Sequence, residues 1–295
     1  LSIMSNTDLI KAERSRDIGD FLVGRLIPFR KKRMVGPFIF IDHMGPSQIG
    51  PGHYMDIGQH PHIGLSTLTY LFEGELMHRD SMGTEQLIKP GSVNLMTAGE
   101  WVVHTERTPK HLRDGQTYTM HGYQIWIALP EHLQEMRPEF KHCSATDLPR
   151  WQEGGIDHTL VAGSAFGKTA PIKGYSALFM VEMQSHADQA VFDATTNLQG
   201  EIGIVIVAGW IEACGDRIEQ GNMLVSNQED ICKLLLGPNT HLLLFGGPPF
   251  GESRHIYWNF VSTDQEKIEA AKQKWQEKDF TNAPGEHDYI PMPGS

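Results

Sequence analysis

Residues 58–76 read GQHPHIGLSTLTYLFEGEL. From Ser66 to Phe72 the run is rich in β-branched, aromatic and aliphatic residues, shows no helical period, and stops at Gly74, a residue that favours a turn. It reads as a buried strand. Immediately before it, His60 and His62 stand at i and i+2, so on an extended backbone both imidazoles leave from the same face. The fold and the chemistry are therefore posed together by one stretch: a β-rich scaffold carrying a pair of metal-competent side chains.

The rest of the chain repeats the style. Phe38 to Ile41, Ser66 to Phe72, Val93 to Met96, Val102 to Thr105 and Tyr123 to Ala128 read as strands of a first unit, with turn chemistry at Gly50-Pro51-Gly52, Glu73-Gly74, Lys89-Pro90-Gly91 and Ala98-Gly99. A second unit offers Ala177 to Glu182, Ile202 to Val207, Met223 to Ser226, Ile231 to Leu236 and His241 to Phe245. Short strands punctuated this regularly predict an antiparallel sandwich or barrel. One helix is expected near the C-terminus, where Thr263 and Glu266 form a capping box and Ile268, Ala271 and Trp275 fall on one stripe. The two units read as an internal repeat: TLTYLFEGEL, turning at Gly74, resembles IGIVIVAGWI, turning at Gly209, and PGSVNLM from Pro90 resembles QGNMLVS from Gln220.

Composition narrows the function classes. The 295 residues suffice for two domains, and a formal net charge of −11 argues against a nucleic-acid partner, which needs a clustered basic surface. The one basic run, Arg30-Lys31-Lys32-Arg33, reads as a solvated turn. Three cysteines, Cys143, Cys214 and Cys232, are odd in number and far apart, so neither a disulfide framework nor a zinc ribbon is expected and a reducing cytoplasm fits. No apolar run is long enough to span a membrane, and no signal peptide is recognisable; Met4 reads as the natural start. A monomer is expected.

About forty residues after the histidine pair, AGEWVVHTER (98–107) places His104 and Glu106 at i and i+2 in a second strand-like run. If the two strands are neighbours in one barrel, three imidazoles and a carboxylate converge, a donor set suited to Fe(II), Mn(II), Ni(II), Cu(II) or Zn(II) with positions left open for water or substrate. The chain has 15 histidines, so pairs also arise by chance. His43, His53, His78, His111 and His121 stand alone and read as surface or supporting residues, with His43 and His53 in Gly/Pro-rich loops that can line the mouth of a site. Gapless alignment of the repeat sets Thr195 and Asn197 against His60 and His62, and Leu234 and Leu236 against His104 and Glu106; a twin metal site is not expected.

GPFIFIDHMGP (36–46), HPHIGLSTLTYLFEGEL (60–76), DSMGTEQLIKPGSVNLMTAGEWVVHTE (80–106), FGGPPFGESRHIYWNFVS (245–262) and IEAAKQKWQEKDF (268–280) together resemble the pirins, a bicupin family, from about Phe38 to Phe280. The resemblance implies an all-β fold of two tandem cupin (jelly-roll β-barrel) domains with a C-terminal helix: an N-terminal metal-binding cupin over 1–135, a linker over 136–156, and a metal-free C-terminal cupin over 157–295. Of these bounds, the linker is read from the polar stretch with Pro138, Pro149 and Gly154-Gly155, and the metal-free second barrel from the repeat alignment. The resemblance implies His60, His62, His104 and Glu106 as ligands, with Fe(II) the usual metal. The carboxylate comes from Glu106 because Thr67 occupies the place where general cupins carry a glutamate. Some pirins have basic residues where this chain has Ile63 and Glu100-Trp101, so electrostatic behaviour tied to them does not transfer. The function implied is a dioxygenase of the quercetin 2,3-dioxygenase type acting on a flavonol with O2, with Glu106 as catalytic proton acceptor and Phe38, Phe40, Trp101 and Trp126 as candidate walls for a flat substrate. The alternative implied is an iron-binding regulatory protein that modulates a protein partner, a transcription factor or a metabolic enzyme, without turnover.

Overall fold

The structure, a computed structural model, describes residues 8–10, 14–17, 22–29 and 32–294. Met4 and, within the basic run, Arg30 and Lys31 lie outside the described residues. Lys32 forms an ion pair with Glu201, which also accepts from the Gly36 amide at 2.8 Å, so this part of the run is tied to the protein rather than left to solvent.

The chain divides into two compact β units. One is built mainly from Ile41–Ala145 and Gly251–Ser295, the other mainly from Leu26–Phe40 and Thr146–Phe250. This division departs from the expected boundaries in two places. The supposed linker begins with a strand, Glu139–Cys143, hydrogen-bonded to Val93–Thr97, and the C-terminal segment from Gly251 belongs to the unit that carries the histidines.

The strands of that unit are β1 (Phe38–Ile49), β2 (Asp56–His62), β3 (Leu65–Glu73), β4 (Leu76–Asp80), β5 (Glu85–Ile88), β6 (Val93–Thr97), β7 (Val102–Arg107), β8 (Tyr118–Ala128) and β9 (Glu139–Cys143). They form two antiparallel sheets. One is four-stranded, ordered β2-β7-β4-β5; the other runs β9-β6-β3-β8-β1 and continues into Leu22–Ile27 and Arg14–Asp17. The second unit is built the same way from β10 (Arg150–Glu153), β11 (Ile156–Ala165), β12 (Phe179–Ser185), β13 (Ala190–Asp193), β14 (Glu201–Ala208), β15 (Trp210–Ala213), β16 (Asp216–Glu219), β17 (Met223–Asn227), β18 (Lys233–Leu236) and β19 (His241–Gly247). Its four-stranded sheet is ordered β13-β18-β15-β16, the same pattern as β2-β7-β4-β5. The architecture is two cupin barrels.

The repeat glycines explain the shared geometry. Gly74 and Gly209, which end β3 and β14, adopt φ of 82° and 74°, and Gly91 and Gly221 adopt 72° and 79°, left-handed values that side chains disfavour. The structural counterpart of β2 is β13, whose Ala190 and Phe192 stand opposite Leu236 and Leu234. Thr195 and Asn197, set against the histidines by the gapless alignment, instead fall in the loop after β13. All four facing residues of β13 and β18 belong to the apolar core of the second barrel, so packed hydrocarbon fills the region that holds histidines in the first.

Cys214 and Cys232 are joined in a disulfide, with Cα atoms 5.9 Å apart, contrary to the expectation from their spacing; the antiparallel β15–β18 pairing, with Ala213 opposite Leu234, brings them together. The pairing removes the cysteine argument for a reducing compartment. No described helix is long and apolar enough to cross a membrane.

The C-terminal helix α1 (Gln265–Gln276) forms where its apolar stripe predicts, but its cap is Asp264, not Thr263: the Asp264 side chain accepts from the Glu266 amide at 2.9 Å. Ile268, Ala271 and Trp275 pack with Ile63, Val103 and Phe260 on the outside of the histidine-bearing sheet. Trp275 is buried, and its indole N–H donates to the Ile290 carbonyl at 3.0 Å. Replacing it by alanine should lower unfolding free energy by about 3–5 kcal/mol, read as a fall in the denaturant midpoint; a midpoint equal to wild type would show that the helix is dispensable to this barrel.

Candidate metal centre

The site is set by strand register. In the antiparallel β2–β7 pair His104 stands opposite His60, and in the β7–β4 pair it stands opposite Asp80. A bulge between His104 and Glu106 makes Glu106 pair with Ile57 on one side, while on the other it faces His78. Side chains alternate across a strand, so His60 and His62, His78 and Asp80, and His104 all turn to the inner face. Their neighbours point outward: Val103 packs with α1, while Thr105 and Arg79 reach Glu286.

The imidazoles of His60, His62 and His104 are buried and offer ring nitrogens that all lie within 4.8 Å of one another. His62 Nε2 and His104 Nε2 are 3.1 Å apart. Two nitrogens each bound at about 2.1 Å to one ion, at near-right angles, would be separated by about 3 Å, so the spacing suits shared coordination. His60 Nδ1 donates to the Gly58 carbonyl at 2.9 Å, which leaves Nε2 as a lone pair. All three imidazoles are held neutral, the form that ligates metal. Burial pushes His60 down to about 4, opposed by its bond to Gly58. Burial, then the neighbouring His60, pushes His62 well below the usual histidine range, and burial with His60, His62 and His78 does the same to His104.

Glu106 is buried, but its carboxylate is not among the donor atoms that lie within 4.8 Å of one another. Burial pushes its carboxyl up to about 7, offset in part by a hydrogen bond with Thr69 of β3. Thr69 Oγ1 also lies 2.8 Å from Gln124 Oε1 of β8. The structure therefore gathers the three histidines and holds Glu106 against the opposite sheet.

His78, which stands alone in the sequence, is a neighbour of the cluster in the fold. Its Nε2 donates to Asp80 Oδ2 at 2.9 Å, and its Nδ1 lies 3.3 Å from His104 Nδ1. The signal was present as an HRD triplet, His78-Arg79-Asp80, whose ends share a strand face. Other expectations are redistributed. His43 stacks on Tyr123 with ring centroids 4.6 Å apart, and its Nε2 lies 2.9 Å from His121 Nε2. His53 is exposed, and His111 meets Glu75 at the surface. Of the proposed substrate walls, Trp126 does border the site, edge-on to His62 at 5.1 Å. Phe38, at the start of β1, belongs instead to the unit without the histidines and is buried there against Phe245. Trp101 lines recesses of about 190 and 630 Å³ that include none of His60, His62, His104 or Glu106.

Two family models match: pirin over residues 20–127 and the pirin C-terminal cupin domain over residues 180–281. A pirin-like protein of Caulobacter vibrioides is 40% identical over 97% of this chain and 99% of its own length. A Pseudomonas aeruginosa protein provisionally named quercetin 2,3-dioxygenase is 39% identical over 88% of this chain and 81% of its own. Among solved structures, a quercetin 2,3-dioxygenase from Acinetobacter baumannii superposes with a TM-score of 0.83 at 33% identity, covering 97% of this chain and 96% of that one. The matched domains, the two barrels and the histidine cluster at the β2–β7 rung agree, and this chain belongs to the pirin family.

Proposed function

We propose that the protein is a metal-dependent dioxygenase of the quercetin 2,3-dioxygenase type, with His60, His62, His104 and Glu106 as ligands to one divalent transition ion. Fe(II) is the first choice, and Mn(II), Ni(II), Cu(II) and Zn(II) suit the same nitrogen and oxygen donors. The observation that carries the reading is the convergence of three buried, neutral imidazoles on one point between two sheets. Left unpartnered by a ligand, such nitrogens would bear a desolvation cost. The relatives named for quercetin 2,3-dioxygenase supply the substrate class, a flavonol with O2.

A bound divalent ion supplies Lewis acidity, which lowers the pKa of a coordinated hydroxyl such as the flavonol 3-hydroxyl. Glu106, once it loosens from the ion, is the carboxylate of this set able to receive that proton as general base. The outward-facing residues of β2 and β7 hold the inner face still. Gln59 bonds to Asn282, Asp288 and Ala283, and Arg107 to Glu286.

Metal analysis of the purified protein should return close to one transition ion per chain, and His60→Ala should abolish it; full occupancy in that variant would remove the site. Loss of flavonol absorbance under O2 tests the reaction, with His104→Ala expected to be inactive. No turnover in protein reconstituted with iron, manganese, nickel or copper would refute the enzyme and leave a binding protein.

The carboxyl of Glu106 gives a pH signature. With a folded pKa near 7 and an ordinary value of 4.5, the folded metal-free protein keeps a proton that the unfolded chain has released. The associated stabilisation is present below 4.5 and is lost as pH rises through about 7. Glu106→Gln, which has no such titration, should therefore gain melting temperature relative to metal-free wild type across that window. A difference that stays constant with pH would show that Glu106 ionises normally.

A further inference from the structure

Asp80, His78 and His104 form a chain of contacts with a defined direction. Asp80 Oδ1 accepts the backbone amides of Met82 and Thr84 at 2.9 and 3.1 Å, which fixes the carboxylate in the turn after β4. Its other oxygen, Oδ2, faces His78 Nε2 at 2.9 Å. A carboxylate oxygen only accepts, so neutral His78 carries its proton on Nε2 and presents a lone pair at Nδ1. That lone pair faces His104 Nδ1 at 3.3 Å, and the ring of His78 packs against Phe140, with centroids 4.7 Å apart. His104 Nδ1 must then be the donor, which places the remaining lone pair of His104 on Nε2, the atom 3.1 Å from His62 Nε2. All three members are buried, with Asp80 the most deeply so.

We propose that Asp80 and His78 are positioning residues for the metal centre: they fix the tautomer and ring orientation of His104, so that its Nε2 lone pair is presented to the ion, and thereby set metal affinity. The inference rests on the reading of His60, His62 and His104 as metal ligands. Residues behind a ligating histidine change metal affinity by about 10- to 100-fold in general, because they choose which nitrogen is free and strengthen it as a donor. The arrangement here has one more step than a direct carboxylate–histidine pair, since His78 transmits the preference of Asp80.

Asp80→Asn tests the direction of the chain with little change of shape. The asparagine oxygen can keep the Met82 and Thr84 amides, but its NH2 then donates to His78 Nε2. His78 must move its proton to Nδ1, where it confronts the Nδ1–H of His104 and favours the His104 tautomer whose Nε2 is blocked. Titration of metal-free protein with Co(II) or Ni(II) should show Asp80→Asn and His78→Phe each weakened about 10- to 100-fold, with a shifted visible d–d spectrum of the Co(II) form and a metal-free melting temperature near wild type. The double variant should lose no more than the worse single one, because both act through His104. His78→Phe leaves the Asp80 turn bonds in place, so it decides the matter if Asp80→Asn fails to fold. Wild-type affinity and spectrum in a folded variant would overturn the proposal while leaving the metal centre standing. Failure of wild type to bind the ion, or retention of binding by His60→Ala, would instead overturn the metal centre on which it rests.

Discussion

The antiparallel register of β2 against β7 is the constraint on which the rest depends. It sets His104 opposite His60, and the next strand, β4, sets Asp80 opposite His104 in the same rung. A slip of one residue in either pairing would turn the affected side chains to the outer face, since their period is two. Register is protected from both sides of the sheet. On the inner face Trp126 and Thr69 of the opposite sheet meet His62 and Glu106; on the outer face Val103 is covered by α1.

The C-terminal segment has a particular part in this. Gln59, between Gly58 and His60, points outward, and its amide oxygen accepts from the Ala283 amide while its backbone carbonyl accepts from Ile290, both at 2.8 Å. Glu286 gathers Arg79, Thr105 and Arg107 from β4 and β7. Residues more than 170 positions later in the chain thus clamp the backs of the strands whose fronts carry the histidines. Gly64, just after β2, shows how close this packing is: a Cβ there would lie 1.9 Å from the Val261 carbonyl oxygen, and its φ is 69°. No side chain fits.

The two barrels share a strand plan and differ in what fills it. In the first, the β2–β7–β4 rungs hold imidazoles and carboxylates, at a desolvation cost visible in every shifted pKa of the cluster. In the second, Ala190, Phe192, Leu234 and Leu236 occupy the corresponding strands and contribute to a continuous apolar core. Burial of hydrocarbon stabilises that unit directly; the first tolerates buried polar groups where chemistry requires them.

The strand-rich character, the turn glycines, the apolar stripe of α1 and the two pairs at i and i+2 are legible in the amino-acid order alone, because they depend on local periodicity and backbone preference. Similarity in its motifs identified the family. Long-range placement emerges only on folding: the bulge that separates Glu106 from His104, the recruitment of His78 and Asp80 behind His104, the return of residues beyond Gly251 to the first barrel, the Cys214–Cys232 pair, and the position of Trp101 away from the histidines. Each joins residues that are distant along the chain or alters a regular strand, and periodicity carries no information about which strands become neighbours. His78 is the clearest instance. Alone in sequence it is one of 15 histidines; in the fold its Nδ1 faces His104 because β4 pairs with β7.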